Sequence, residues 1–186
     1  MTGLAPIWSI SITADDYMVS TPTQAMIRLH KAIAKRSLRA TLLDHYYRNF
    51  KRHFMRGNRS RYSHKERMPK YRHRRKKEFG STTDLVKTGE SKRYMTNQVP
   101  TVSTSYVMQG GLRGRMTIKW PPSMRTKAAR LADVGVNFEQ MNKELETWAN
   151  DEALRSTNLF YKLYVDDLRV ELDRRPKLRK NYHKKL

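Results

Sequence analysis

The stretch Pro22–Phe54, PTQAMIRLHKAIAKRSLRATLLDHYYRNFKRHF, decides how the rest of the chain is arranged. Its apolar positions Met26, Leu29, Ile33, Ala40, Leu43, Tyr47, Phe50 and Phe54 fall at helical spacing, with Arg36 as the one exception, which places them on one face of a single long helix. Such a stripe has to be buried against a second layer. Thr21 suits the N-cap and Pro22 the first helical position, where a missing N–H costs nothing, and Gly57-Asn58 supplies the stop. At ~1.5 Å per residue the helix reaches about 50 Å, longer than a compact domain of this size needs. One end is therefore expected to project or to pack on a partner, and Tyr47, Phe50 and Phe54 are the expected subunit interface. The flanking positions are mostly basic and lack the paired opposite charges that align coiled-coil strands, so a packed core helix is the expectation.

Composition narrows the class. A chain of 186 residues with 38% hydrophobic content can build one modest core. The net charge of +22, from 39 Lys and Arg against 17 Asp and Glu, makes a self-repelling field that phosphates or an acidic protein surface would neutralise. The absence of cysteine excludes disulfides and thiolate chemistry. No apolar run approaches the ~20 residues that span a bilayer, and Met1–Ala14 lacks the basic start of a signal peptide, so a chain made in the cytoplasm, with no membrane partner, is expected.

Outward from the helix, Ile7–Ala14 reads as a strand, because Trp8, Ile10 and Ile12 alternate with Ser9, Ser11 and Thr13, and Asp15-Asp16 ends it. On the other side, Lys51–Lys77 holds thirteen Lys and Arg against the single Glu66, interleaved with His53, His64, His73, Tyr62 and Tyr71. With little apolar periodicity beyond the helix end, Arg59–Lys77 reads as an extended loop or arm. Its cations Arg59, Arg61, Lys65, Arg67, Lys70, Arg72, Arg74, Arg75, Lys76 and Lys77 are the candidate contacts to nucleic acid or another anionic partner, with Tyr62 or Tyr71 available to stack.

Next come Leu85-Val86, a Thr88-Gly89 turn and an expected strand over Ser91–Thr96. Val102, Thr104, Tyr106 and Met108, a turn at Gln109-Gly110-Gly111, and Leu112, Met116, Ile118 and Trp120 make a hairpin with one apolar face. Its other face carries Arg113, Arg115 and Lys119, of which Arg113 and Arg115 join the candidate anion contacts. Asn137 with Gln140 has a capping-box pattern, opening a helix with Phe138, Met141, Leu145 and Trp148 on one side. A second helix starts at Asn150 or Asp151 with Leu154, Tyr161, Val165, Leu168 and Leu172 in its stripe, and Arg175-Pro176 ends it. The fold expected is α+β: a small antiparallel sheet with a long N-terminal helix and C-terminal helices packed on it. Residues 1–176 form one domain with a basic insertion at about 56–80, and 177–186 are a basic tail.

Candidate chemistry is sparse. His45, Asn49 and His53 lie at i, i+4 and i+8, which sets the two histidines ~12 Å apart along the axis, too far to share a metal; they read as a polar helix flank. His64 and His73 sit among cations that disfavour a metal. Asp15-Asp16 and Asp166-Asp167 suit a turn and a helix surface. No Gly-rich phosphate loop, Ser elbow or H-E-x-x-H occurs. The expectation is a protein without catalytic residues, metal or cofactor.

The order of pieces carries a resemblance. Ile10-Ser-Ile-Thr-Ala-Asp-Asp16, a long helix ending in Phe50–Phe54, and Leu85-Val-Lys-Thr-Gly89 before a strand resemble the tail-completion or neck family of tailed bacteriophages, also called virion morphogenesis proteins. The chain departs from that family in lacking a Tyr-Ala-x-x-His segment and in carrying the long basic insertion. The resemblance implies a structural virion component at the head–tail junction, assembled in the host cytoplasm. It also implies a homo-oligomeric ring that joins connector or portal-side proteins to tail proteins around a DNA channel, with non-specific DNA contact. The competing expectation is a sequence-independent RNA- or DNA-binding protein of ribosome-associated or nucleoid type.

Overall fold

A computed structural model describes residues 7–12, 24–80, 89–106, 111–126 and 138–176. Among these, β1 (Ile7–Ile12) precedes α1 (Gln24–Asn49), which tightens into a 3-10 turn over Phe50–Phe54. Then follow α2 (Asn58–Arg61), α3 (Pro69–Phe79), α4 (Glu90–Asn97), β2 (Thr101–Tyr106) and β3 (Leu112–Thr117). Among the described residues three helices come after the sheet: α5 (Pro122–Thr126), α6 (Phe138–Glu146) and α7 (Asn150–Arg174). The α+β class expected from the sequence is the one observed. Thr21-Pro22, Asp15-Asp16, Leu85–Thr88, Gln109-Gly110, Asn137 and the tail 177–186 lie outside the described residues.

The sheet has the order β1-β3-β2 with both pairs antiparallel. Ile10 and Thr104 stand opposite Gly114, and Ser9 and Ser103 opposite Arg115. Along β3 the alternation is strict: Leu112, Gly114 and Met116 are buried, while Arg113 and Arg115 face solvent. Ile118 and Trp120 continue the buried series beyond the strand, and the Trp120 indole donates to Asn142 Oδ1 at 2.9 Å. The Gln98 side chain extends the ladder past β3, accepting from the Lys119 N–H and donating to its carbonyl, each at 2.8 Å.

Helix α1 lies across the inward face of this sheet. Its closest approach is at Gly114, where an added Cβ would stand 2.7 Å from Leu42 Cδ1 and 2.9 Å from Leu38 Cδ2. The buried band on α1 is not the straight stripe that the sequence suggested. Met26, Leu29 and Ile33 are buried near its start, with Leu29 and Ile33 packed on Leu168 of α7. Further along, Ala34, Leu38, Leu42 and Tyr46 turn toward Leu112 and Met116 of the sheet. The helix therefore changes partner midway, and the band rotates with it. Ala40 and Tyr47 are consequently exposed and Leu43 is half-buried. The anomalous Arg36 is explained as well, because its Nε reaches Asp167 of α7 at 2.9 Å.

Three further expectations are corrected. Ser91–Thr96 lies in helix α4, not a strand: Gly89, at φ +80°, precedes it, Glu90 sits in the first turn where the helix dipole favours a carboxylate, and Met95 is its one buried residue. The Tyr46 hydroxyl lies 2.8 and 2.7 Å from the carbonyls of Met95 and Gln98 and donates its one proton between these two acceptors at the end of α4. On α7 the buried apolar residues are Phe160 and Leu168, with Tyr161, Tyr164 and Leu172 packed beside them, whereas Leu154 and Val165 are exposed. The β-branched and Leu spacing hid the aromatic side that faces the core. Finally, Phe50 and Phe54 are each 2% exposed inside the chain's own core, so of the three expected interface residues only Tyr47, at 59%, reaches the surface.

The Gly114 contact gives a direct test of helix-on-sheet packing. Gly114→Ala forces Leu38 and Leu42 off their positions and is expected to lower stability by about 1–3 kcal/mol, read as a lower urea midpoint by tryptophan fluorescence. An unchanged midpoint would place α1 elsewhere.

Candidate nucleic-acid interface

The basic segment folds where an extended arm was expected. Pro69 opens α3 at a first-turn position and Gly80, at φ +65°, closes it, the Pro-start and Gly-stop asymmetry of helices. Those two residues are the sequence signal that would have revealed this helix. Ahead of it, Tyr62 and His64 turn inward and are 0% and 4% exposed.

What draws them in is a cluster beneath the positive surface. His53 stacks on Tyr62 with ring centres 3.7 Å apart and planes 20° from parallel, and His64 lies 6.0 Å from His53. The Tyr62 hydroxyl donates at 2.8 Å to Oε1 of Glu152, a carboxylate in the first turn of α7 with no exposed surface. Arg61 Nε and Arg52 Nη1 meet the same oxygen at 3.1 and 3.3 Å, and Arg61 also pairs with Asp151 at 2.7 Å. Asn58 locks the turn from below by donating to the His53 carbonyl. Two turns earlier, on α1, His45 stacks on Trp148 at 4.0 Å. The expected polar helix flank of His45 and His53 is thus corrected to two histidines that are each 1% exposed.

These surroundings set the protonation. Burial, reinforced by the Arg52 charge, lowers the His45 pKa to about 3. Burial, with His64 and His45 adding to it, lowers His53 to about 3. Burial and the bond to Glu152 push the Tyr62 phenol well above its ordinary range. The rings of His45, His53 and Tyr62 are consequently neutral near pH 7. Among the described residues no group of three or more His, Asp or Glu is arranged to hold a metal ion.

The predicted contact residues divide into two sets. Arg59 pairs with Glu66 at 2.7 Å, and Arg72 lies 3.8 Å from the same carboxylate, which Arg59 holds below its usual pKa. Arg61 is committed to Glu152 and Asp151, Arg67 to the buried Glu144 at 3.1 Å, and Arg74 to Glu78 at 2.8 Å. Arg75 is 6% exposed, with its guanidinium 5.8 Å from the Tyr71 ring centre, and so belongs to the interior. That leaves Lys65, Lys70, Lys76 and Lys77 as solvent-facing cations of the segment. Arg113 and Arg115 point outward from the sheet, on the face opposite α1. Glu144, Asp151 and Glu152 escaped the sequence reading because their partners lie some 77 to 100 positions away.

Comparison with protein-family models, with curated proteins and with solved structures finds no match to the chain.

Two outcomes are expected from the cluster. Glu152→Ala strands Tyr62 and two arginines, but these are about a third exposed (36% and 35%) and can turn to water, so a loss near 3 kcal/mol, the low end for a broken buried pair, is expected in chemical denaturation; a change under 1 kcal/mol would mean that Glu152 is not a buried partner. The second concerns pH. Because His45 and His53 take up protons in the unfolded chain near pH 6.5 but in the fold only near pH 3, stability is full above pH 6.5 and is lost as pH falls toward 3. The slope is up to about 1.4 kcal/mol per pH unit for each ring. His53→Phe should flatten the profile between these limits; a profile identical to that of the parent would contradict the assignment.

Proposed function

We propose that the chain is a structural component of the head–tail junction of a tailed-phage virion, a neck or tail-completion protein that forms a ring and joins the connector to the tail around the DNA channel. The observation that carries this reading is the order of elements. An N-terminal strand pairs with a later hairpin, a long helix lies across that sheet, Gly89 marks the turn after the basic segment, and helices close the chain. The position after Gly89, helical where the resemblance implies a strand, is a departure within that order.

Surface charge supports the same reading. The cations of the outer sheet face and of α3 that lack carboxylate partners suit a passage that meets DNA through its backbone, since phosphate contacts carry no sequence information. With Phe50 and Phe54 internal, the contacts between ring neighbours fall to exposed apolar residues such as Tyr47, Val99 and Leu154. Sequence-independent nucleic-acid binding by a monomer is the competing reading, and the exposed lysines alone favour it equally.

Mass photometry at moderate salt, with and without a short random duplex, separates the two. Discrete assemblies at multiples of 22.0 kDa that form without duplex are expected. A monomer whose mass changes only when duplex is present would overturn the ring and leave the binding-protein reading.

A further inference from the structure

The first four turns of α1 carry a surface that belongs neither to the basic segment nor to the outer sheet face. Arg28, Lys31, Lys35 and Arg39 are exposed, and their spacing of three, four and four residues sets them in one row along the helix. At ~1.5 Å per residue the row is about 16 Å long. None of the four has a carboxylate partner among the described residues, while Arg36, one position round the helix, is bound by Asp167 and Glu171 of α7.

Local sequence makes this row unfavourable to the free protein. From Gln24 to Leu43 there is no Asp or Glu, and the first acidic residue, Asp44, pairs with Arg48. Like charges at i and i+4 repel, as Lys31 does with Lys35 and Lys35 with Arg39. An anion from outside would relieve that repulsion. The row is also steadied from the sheet: Lys31 Nζ and Lys35 Nζ lie 5.4 and 5.8 Å from the centre of the Tyr106 ring at the end of β2. An aromatic ring beneath two ammonium groups holds them at the same edge despite their repulsion.

We propose that Arg28, Lys31, Lys35 and Arg39, positioned by Tyr106, form a track for the phosphate backbone of a nucleic-acid duplex. A protein interface is built around an apolar centre ringed by polar residues, whereas the apolar groups beside this row's cations are the small Ala32 and the half-buried Tyr106 ring that Lys31 and Lys35 cover. A duplex strand presents a charge every ~3.4 Å of its axis and asks for nothing apolar. A straight, all-cationic row matches that demand. The track stands whether the protein works as a ring or as a monomer, because it lies on a single chain.

The test uses the full chain and a random duplex, with affinity followed across salt concentration by fluorescence anisotropy. In R28Q/K31Q/K35Q/R39Q the slope of log K against log salt is expected to become shallower by about 3–4, roughly one for each phosphate that the variant no longer neutralises, with affinity reduced more than about tenfold at low salt. A control with the same reduction of charge at exposed positions elsewhere, K51Q/R56Q/R93Q/K162Q, should change the slope by less than about 1. The melting temperature of the row variant without duplex should equal or exceed that of the parent, since repulsion has been removed. Equal effects of the two variants would reduce the row to part of a diffuse field and overturn the track. So would duplex binding that is unaffected while binding to poly-glutamate falls, which would assign the row to an acidic protein. A row variant that melts lower than the parent would show the cations to be structural and would equally overturn the proposal.

Discussion

Glu152 accepts from three donors that precede it by 90 to 100 positions, Tyr62, Arg61 and Arg52, and all three converge on one oxygen at the first turn of α7. Burying a lone carboxylate is prohibitive, so the residue can be fully enclosed only if such donors arrive with it. The converse constraint shapes the rest of the chain. A segment as basic as Lys51–Lys77 repels itself and has few apolar residues to fold around, and it becomes compact because carboxylates from α6 and α7 are placed beneath it. Glu144 does for Arg67 what Glu152 does for Arg61. The stacked His53 and Tyr62 then fill the space between the arms, neutral where another charge would be intolerable.

The same arrangement sorts the net charge of +22 into cations that hold the fold together and cations that are left over. Arg52, Arg61 and Arg67 are engaged by the buried Glu152 and Glu144, while Arg59 and Arg74 pair with exposed carboxylates at the surface. Three groups of those left over lie on separate surfaces: the lysines of α3, the arginines outside β3, and the row on α1. The sheet stands between the second and third of these, with α1 on the face that buries Leu112 and Met116 and the arginines on the other. Charge density along the sequence is therefore a poor guide to where an anion would bind. In the densest stretch carboxylates engage six of the thirteen cations, whereas the row on α1 has four cations over twelve residues and no carboxylate partner among the described residues.

Much of the framework was legible in the residues. The alternation in Leu112–Trp120 and the spacing in Pro22–Phe54 correctly indicated a hairpin strand and a long helix, because each buries apolar residues at the period of its own backbone. Legibility ended where a residue's partner is distant. Ala40, Leu43 and Tyr47 were assigned to the wrong side because α1 exchanges α7 for the sheet midway, a change that no local period encodes. His53, Tyr62 and His64 read as polar surface because Glu152 and Asn58 give the cluster its donors and acceptors only after folding. Pro69 and Gly80 did announce α3, but the charge between them obscured the signal.

The central claim is that carboxylates from the C-terminal helices fold the basic segment within a single chain. Amide hydrogen exchange on the dilute, duplex-free protein measures it directly. The account predicts that the amides from His53 to His64, tied down by the Glu152 cluster, exchange as slowly as those of α1, with α3 intermediate. Exchange of 53–64 at the rate of an unfolded chain would contradict it, and would mean that the segment orders only when a partner is bound.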